Sequence, residues 1–349
     1  MKLFFITNSL VKKIVYAYTK SYLKNDSDAR FIFLYRDDRE NVSENTKRCI
    51  IFPEIKFVSD RNLLFFIFTL IRFKIFYEKK FKCLLFSLTE DKSYHLYVPH
   101  TYIDSIIYTS NYEKCENLSL VEEGDASYID APNYDFDQKV KKRRRKIWKM
   151  LMSILGLRDL LTPDGFFPNE SKVSKVLVTA KEAFPFYSNS KKIFVSIFSL
   201  CEVSRTSGPV TLIAIPPISG CIEQSVVNGL LFFLTENEEF FRNREVFLSI
   251  HPSIKRNNRI KFKLLTVLRE INVQVKVSNF DSLELVLDGL INGRILGLET
   301  SLFRYAKRAG WECYSWLEYC YYLPDDIQTY FRTYTKRNNI ELVSPSSDV

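Results

Sequence analysis

Short apolar runs alternate with longer amphipathic segments along most of this chain, and this alternation constrains the fold more than any other sequence feature. Strands that are buried on both faces, between layers of helices, appear as continuous apolar runs rather than as alternating patterns. We therefore predict α/β architecture with parallel sheets. In the first half, the predicted strands are 2–7, 31–36, 48–52, 82–88 and 118–123, and the predicted helices are 9–24 and 61–78.

Residues 129–172 interrupt the pattern with Asp, Asn and Pro, a basic run and the sequence LTPDGFFPNES. Such composition is typical of a connection between domains. The alternation then resumes, with predicted strands at 192–198, 211–217, 246–252 and 273–277, helices near 220–235, 258–270 and 281–290, and a strand–turn–helix at 293–310. A chain of 349 residues can bury two cores. We expect two Rossmann-like domains, 1–172 and 173–349, with parallel sheets facing a central cleft.

Cysteine and histidine usage argues against a disulfide framework or a zinc site. The seven cysteines are scattered without a C-x-x-C pair, and His95, His100 and His251 lack metal-ligand spacing. This usage indicates a reducing compartment. The most apolar stretch, 62–71, is too short to span a bilayer, and the first ten residues are too short for a signal peptide. The sequence therefore favours a cytoplasmic protein.

Residues of types that are common in active sites lie at the carboxyl ends of several predicted strands. Open parallel sheets bind ligands at these ends. These residues are Glu122-Glu123-Gly124, Pro216-Pro217, His251-Pro252 and Thr300-Ser301, with Glu284 in the predicted helix 281–290. Each pattern also has a purely structural explanation, since an acidic pair can form a solvated turn, His-Pro can pack, and Ser or Thr can cap a helix. Their common placement favours a functional site.

The order of these motifs resembles that of the bacterial sialyltransferases of the two-domain GT-B type, including lipooligosaccharide sialyltransferases and capsule polysialyltransferases. That family shares a D/E-D/E-G motif in the N-terminal half, then an HP motif and a Ser/Thr pair. Glu122-Glu123-Gly124, His251-Pro252 and Thr300-Ser301 match them in order, across most of the chain. Related CMP-Kdo transferases also carry an HP motif, preceded by a QP motif, but here Pro216-Pro217 stands at that strand end.

The resemblance implies inverting transfer of a sialyl group from CMP-sialic acid to a sugar hydroxyl of a surface glycan. Glu123 would be the base, and Glu122 would position it or raise its pKa by charge proximity. His251 would assist departure of the CMP phosphate, and Thr300 and Ser301 would bind that phosphate at the start of a helix.

The resemblance also places Pro217, Pro252 and Glu284 on the donor side, with Glu284 at the position of an acid that contacts the nucleotide. The donor is a substrate, and no cofactor is implied. The phosphodiester of a CMP-sugar carries one negative charge, and the donor has no pyrophosphate for magnesium to chelate, so we expect no metal requirement.

Positive charge is concentrated in one segment. The net charge is +9, and seven Lys or Arg residues fall within 139–146, which contains no acid. The segment includes Lys141, Lys142, Arg143, Arg144, Arg145 and Lys146, and Trp148 follows on the apolar face of a predicted basic amphipathic helix, 139–158. This pattern suits an anionic membrane surface. A helix packed on its own domain is an equal alternative, and nucleic-acid binding is disfavoured because no aromatic residues interleave the charges.

Three functional classes follow from the sequence. The leading one is a sialyltransferase that lies on the inner face of the bacterial cytoplasmic membrane and acts on a lipid-linked glycan acceptor. The second is a CMP-Kdo or other nucleotide-sugar transferase on the same fold. The third is a non-catalytic protein that binds a membrane surface or a nucleic acid. The linkage, the acceptor, the number of residues added and the oligomeric state, with a homodimer as one option, stay open.

Overall fold

The computed structural model describes two compact units of the chain, Met1–Ser199 and Leu200–Val349. The described residues are 1–23, 28–33, 49–51, 71, 78–101, 104–128, 167–168, 170–197, 208–216, 222–250, 262, 265–266, 269, 275–277 and 293–345. In both units these residues build a parallel β-sheet with helices. The predicted α/β class is confirmed.

The first unit is built on a parallel sheet. Its strands are β1 (Lys2–Ile6), β2 (Ala29–Phe33), β3 (Cys49–Ile51), β4 (Tyr94–Val98), β5 (Cys115–Val121), β6 (Val173–Val178) and β7 (Lys192–Phe194). Among the described residues, the seven strands lie in the order β3-β2-β1-β4-β5-β6-β7. From β1 the chain adds β2 and β3 on one side of the sheet. It then crosses to the other side of β1 and adds β4 to β7, so the strand order reverses beside β1. In open α/β sheets such a reversal opens a crevice at the carboxyl ends of the strands.

Strands β6 and β7 correct the predicted domain boundary. Val121 of β5 lies opposite Leu177 of β6, and β7 pairs with β6 in turn, so both strands complete the first sheet. The boundary therefore lies near 199/200, and the predicted 172/173 is too early. From the sequence, residues 173–198 are placed in the second domain and only 192–198 is predicted as a strand, because the polar segment 129–172 separates these residues from β5.

The central strand β1 is apolar and buried on both faces from Leu3 to Ile6. In β1, every residue from Leu3 to Ile6 is inaccessible to solvent, as expected for a strand between two layers of helices. Helix α1 (Ser9–Tyr22) follows directly, and the Asn8 side chain caps it by accepting a hydrogen bond from the Val11 amide at 2.9 Å. The short connection fixes the start of α1 at the carboxyl end of β1.

Residues 82–88, predicted as a strand, instead lie in helix α2 (Glu78–Thr89). Phe81, Leu85 and Leu88 are buried at helical spacing, whereas Phe86 between them is exposed. A short apolar run does not by itself distinguish a strand from the buried face of a helix. The strand that pairs with β1 on the side away from β2 is β4, which carries the less apolar sequence YHLYV and was not predicted. Helix α3 (Asp104–Ser110) connects β4 to β5.

The second unit repeats the arrangement. Its strands are β8 (Val210–Ile215), β9 (Glu245–Ile250), β10 (Val275–Val277), β11 (Gly293–Gly297), β12 (Glu312–Ser315) and β13 (Glu341–Leu342), and its helices are α4 (Glu223–Glu236), α5 (Leu302–Arg308) and α6 (Asp325–Arg337). As far as the structure describes this unit, the strand order is β10-β9-β8-β11-β12-β13, which reverses beside β8 as the first sheet does beside β1. The predicted strands at 211–217, 246–252, 273–277 and 293 onward correspond to β8–β11, whereas the predicted helix 281–290 lies outside the described residues. None of the helices in the described ranges is long and apolar enough to cross a bilayer.

Candidate active site

The acidic pair Glu122-Glu123 lies immediately after β5, where the extended chain sends the two carboxylates in different directions. Glu122 is completely buried, whereas the Glu123 side chain keeps 18% of its surface exposed. Adjacent carboxylates in the sequence therefore occupy separate environments, one inside the protein and one accessible from outside.

Side chains from two neighbouring strand ends surround Glu123. Thr7, which follows β1, donates a hydrogen bond from Oγ1 to Glu123 Oε1 at 2.9 Å, and Asn8 donates from Nδ2 to the same oxygen at 3.4 Å. His100, two residues after β4, places Nε2 at 3.4 Å from Glu123 Oε2. Because β1, β4 and β5 are consecutive in the sheet, these residues converge at the strand-order reversal.

Burial sets the protonation state of this group. It raises the pKa of Glu123 from the ordinary value of 4.5 to about 7, with the Thr7 hydrogen bond as the smaller, opposing cause. Burial also lowers the pKa of His100 to about 4, so the imidazole is neutral at pH 7. The sequence argument attributed a raised Glu123 pKa to the neighbouring Glu122 charge, whereas the structure attributes it to removal from water.

Glycine is required immediately after the pair. Gly124 is buried and has φ = 117°, in the left-handed region that side chains disfavour. The turn continues as a short 3₁₀ helix, Asp125–Tyr128, in which Ser127 Oγ accepts a hydrogen bond from the Glu123 amide at 2.9 Å. The E-E-G sequence thus ends the strand, turns the chain and fixes the backbone of Glu123.

Glu122 contacts protein groups on every side. Its Oε1 accepts a hydrogen bond from the Tyr128 hydroxyl at 2.7 Å, and its Oε2 accepts one from the Thr179 amide at 2.6 Å. The Thr179 hydroxyl lies 2.8 and 2.9 Å from the two oxygens. Since Glu122 has no solvent-accessible surface, it does not form part of the accessible site.

In the second unit, Thr300 and Ser301 follow β11 and precede α5. Thr300 Oγ1 accepts a hydrogen bond from the Leu302 amide at 3.2 Å, whereas the Ser301 side chain makes no capping hydrogen bond. Capping of α5 is therefore provided by Thr300 rather than by Ser301, the residue adjacent to the helix. Tyr334 on α6 supports this turn by donating from its hydroxyl to the Thr300 carbonyl at 2.9 Å.

Several predicted site residues lie outside the described residues: His251, Pro252, Glu284 and Pro217 on the donor side, and Lys141, Lys142, Arg143, Arg144, Arg145, Lys146 and Trp148 in the basic segment. Their proposed roles stay predictions. No group of three or more His, Cys, Asp or Glu side chains suited to a metal ion lies in the part of the chain that the structure describes.

The sequence reading missed the residues that contact Glu123. Thr7 ends the first predicted strand, 2–7, and Asn8 follows it, and a polar pair at the junction of a strand and a helix was a usable signal for the same sheet edge. His100 could not be found in this way, because β4 itself was not recognised as a strand. These residues contact the Glu123 carboxyl group, which is accessible and has a pKa close to physiological pH. Such a group is suited to accepting a proton.

No family model matches the chain, and no curated protein matches its sequence. Solved structures are similar over nearly its whole length. A sialyltransferase from Photobacterium damsela has a TM-score of 0.51 at 11% identity, with 98% of this chain and 82% of that chain covered. A candidate UDP-N-acetylglucosamine 2-epimerase from Listeria monocytogenes has a TM-score of 0.51 at 9% identity, with 98% and 84% covered. UDP-GlcNAc 2-epimerase from Methanocaldococcus jannaschii has a TM-score of 0.48 at 13% identity, with 99% and 89% covered. At these identities the two likenesses with a TM-score of 0.51 show the fold alone, two parallel-sheet α/β units of the GT-B type.

Proposed function

We propose that this chain is an inverting glycosyltransferase that moves sialic acid from CMP-sialic acid to a hydroxyl of a cell-surface glycan, lipooligosaccharide or capsule. The observation that carries the proposal is the carboxyl group of Glu123, which lies at the strand-order reversal of the first sheet and has a pKa of about 7. Sugar hydroxyls must lose a proton to attack the donor, and a base with a pKa near the working pH is the most effective.

The surroundings of Glu123 support its role as the base. Thr7 and Asn8 contact Oε1, and His100 lies beside Oε2, so the carboxylate is oriented from two sides while part of it stays exposed. At pH 7 His100 is neutral, so this neighbour does not lower the basicity of Glu123 as a cation would. The acceptor hydroxyl would bind at the exposed part of the carboxylate.

The donor-side assignments rest on the resemblance. His251 would assist departure of CMP, and Pro252, Pro217 and Glu284 would line the nucleotide site. Thr300 and Ser301 would contact the phosphate, and the Ser301 hydroxyl is the better candidate because Thr300 already caps α5. The proposal includes no metal, because a CMP-sugar has no pyrophosphate to chelate one.

Donor choice is the first point to test, because the fold is shared with proteins named as UDP-GlcNAc 2-epimerases. Thermal stabilisation by CMP, UDP and GDP, measured in parallel, separates the three functional classes. Stabilisation by CMP alone is expected, and turnover of CMP-sialic acid against CMP-Kdo then distinguishes the two transferases. Stabilisation by UDP alone favours another nucleotide-sugar enzyme, and no effect of any nucleotide favours a non-catalytic protein.

The role of Glu123 is tested by Glu123→Gln, with Glu116→Gln as a matched control. Glu116 is an exposed residue near the opposite end of the same strand, so its substitution makes the same chemical change away from the site. We expect Glu123→Gln to lower turnover by about 10²-fold or more while CMP still binds. Normal turnover in Glu123→Gln would exclude Glu123 as the base.

We also propose that the basic segment holds the enzyme on the inner face of the cytoplasmic membrane, where a lipid-linked acceptor would be available. Each Lys or Arg near an anionic surface contributes about 1 kcal/mol, so several together with Trp148 give reversible, salt-sensitive binding. Replacing Lys141–Lys146 with Gln should release the protein from anionic vesicles and leave turnover of a short soluble acceptor unchanged. Loss of soluble-acceptor turnover in the folded variant would place the segment in the fold or the active site instead.

A further inference from the structure

The buried carboxylate of Glu122 is the centre of a hydrogen-bonded group that joins three segments of the first unit. We refer to Glu122, Tyr128 and Thr179 as the Glu122 cluster. Tyr128 belongs to the 3₁₀ turn after the acidic pair, and Thr179 follows β6 directly. The Glu122 carboxyl oxygens accept hydrogen bonds from the Tyr128 hydroxyl, the Thr179 amide and the Thr179 hydroxyl, each within 2.9 Å. A hydrogen bond in a low-dielectric interior is electrostatically stronger than the same hydrogen bond in water.

The same turn is attached to Glu123 from its other side. The Glu123 amide donates to Ser127 Oγ at 2.9 Å, and the Ser127 amide donates to the Gly124 carbonyl at 2.9 Å. The Ser127 carbonyl accepts a hydrogen bond from the Phe184 amide at 2.5 Å, which connects the turn to the segment after β6. The hydroxyl of Tyr128, the next residue, donates a hydrogen bond to Glu122 Oε1. The backbone of Glu123 is thus enclosed in a closed loop of hydrogen bonds.

Direct participation of Glu122 in chemistry does not fit its surroundings. It has no exposed surface, and donors from the protein contact both of its oxygens. A substrate hydroxyl would have to displace these donors inside the core, where each unsatisfied polar group is costly. Its influence on the site must therefore pass through the backbone it shares with Glu123.

We propose that Glu122 is a positioning residue, whose cluster fixes the turn after β5 so that the Glu123 carboxylate stays between Thr7 and His100. The inference rests on the proposed function, because position matters for turnover only if Glu123 is the base. A displacement of about 1 Å in a catalytic group can lower a rate by about 10²-fold. The cluster therefore explains why a second acid precedes the base. In this explanation Glu122 holds the turn in place, and its charge is not needed to change the pKa of Glu123.

The test uses Thr179→Val and Thr179→Ser as a matched pair, with Tyr128→Phe as a milder third variant. Thr179→Val removes the hydroxyl at nearly constant volume, and Thr179→Ser keeps it. We expect Thr179→Val to lower kcat by about tenfold with little change in the donor KM, and Thr179→Ser to restore kcat. Tyr128→Phe removes a single oxygen, so it gives the same comparison if Thr179→Val fails to fold.

Glu122→Gln separates positioning from chemistry. The amide oxygen can still accept from the Thr179 amide, and the amide nitrogen can donate to the Tyr128 and Thr179 hydroxyls, which can reverse their roles. We expect this variant to lower kcat by no more than Thr179→Val does, in contrast to Glu123→Gln. A loss equal to that of Glu123→Gln, with normal kcat in Thr179→Val, would overturn the inference by assigning chemistry to Glu122.

A titration of the Glu123 carboxyl tests whether Glu122 positions it, and this test does not depend on turnover. The carboxyl of Glu123 can be followed by carbon NMR in wild type, Thr179→Val and Thr179→Ser. Among the described residues it faces the Thr7 hydroxyl, the Asn8 amide and the His100 ring. Displacement toward water lowers the Glu123 pKa, since burial is its main cause.

We expect the midpoint to fall in Thr179→Val and to be restored in Thr179→Ser. If both variants only lower the melting temperature, with wild-type midpoints and wild-type kcat in the folded fraction, the cluster is merely structural and the inference is wrong. Normal turnover in Glu123→Gln would instead refute the proposed function, and the titration would still report on Glu122.

Discussion

Replacing Glu123 with Gln should stabilise the protein at alkaline pH while it lowers turnover. The folded state holds the carboxyl away from water, and its pKa is raised from 4.5 to about 7. Below the ordinary pKa both the folded and the unfolded chain bind this proton, so the ionisation of Glu123 does not change the free energy of unfolding there. As the pH rises toward 7, the unfolded chain ionises first, and stability that was fully present at acidic pH is lost. Gln stays neutral and keeps an oxygen that can accept the Thr7 hydrogen bond.

The magnitude follows from the two pKa values. The difference between 4.5 and about 7 corresponds to about 3 kcal/mol of lost stability once the pH exceeds the folded-state value. The partial exposure of the side chain makes this an upper figure. We expect Glu123→Gln to match wild type near pH 4.5, to become progressively more stable, and to reach a constant advantage above about pH 7.

Urea unfolding followed by circular dichroism at several pH values measures this difference in the free energy of unfolding. Glu116→Gln on the exposed part of the same strand is the control and should show no pH-dependent gain. An advantage of Glu123→Gln that does not change with pH, or a loss of stability above pH 7, would show that Glu123 is not held at a raised pKa.

Three further outcomes follow from the site. The kcat/KM should rise with pH and level off above about pH 7, because only ionised Glu123 accepts a proton, and a pH-independent rate would refute this. Gly124→Ala should cost about 1–3 kcal/mol in urea unfolding, because φ is positive there, whereas Gly208→Ala, with open space around it, should cost less than about 1 kcal/mol. Thr300→Val should lower stability by about 1 kcal/mol through loss of the α5 cap, and Ser301→Ala should not, so the reverse order in thermal unfolding would contradict the assignment.

The sequence predicted the fold class and the strand ends well, because continuous apolar runs identify central parallel strands. It failed where local pattern and tertiary context disagree. Residues 82–88 are as apolar as a strand but lie on a helix, and β4 carries polar and aromatic residues that conceal its central position. The domain boundary was misplaced for a related reason, since β6 returns to the first sheet after a long polar segment.

For the site, the sequence identified Glu123 but not its partners. The pairing of β1 with β4 brings Thr7 and Asn8 to Glu123, from which they are separated by 116 and 115 residues along the chain. No local sequence pattern encodes that pairing. The separate environments of Glu122 and Glu123 follow from strand alternation, which was available in the sequence. What the sequence could not supply is the burial that raises the Glu123 pKa.

We propose that Glu123 acts as the base in sialyl transfer from CMP-sialic acid, and mass spectrometry of a glycan acceptor can detect the product of that reaction. The purified wild-type chain, Glu123→Gln and Glu116→Gln are incubated with CMP-sialic acid and a soluble glycan that presents free hydroxyls. We expect a sialylated product with wild type and Glu116→Gln, and at least about 10²-fold less product with Glu123→Gln. Equal product from Glu123→Gln, or product only when the donor is a UDP-sugar, would contradict it.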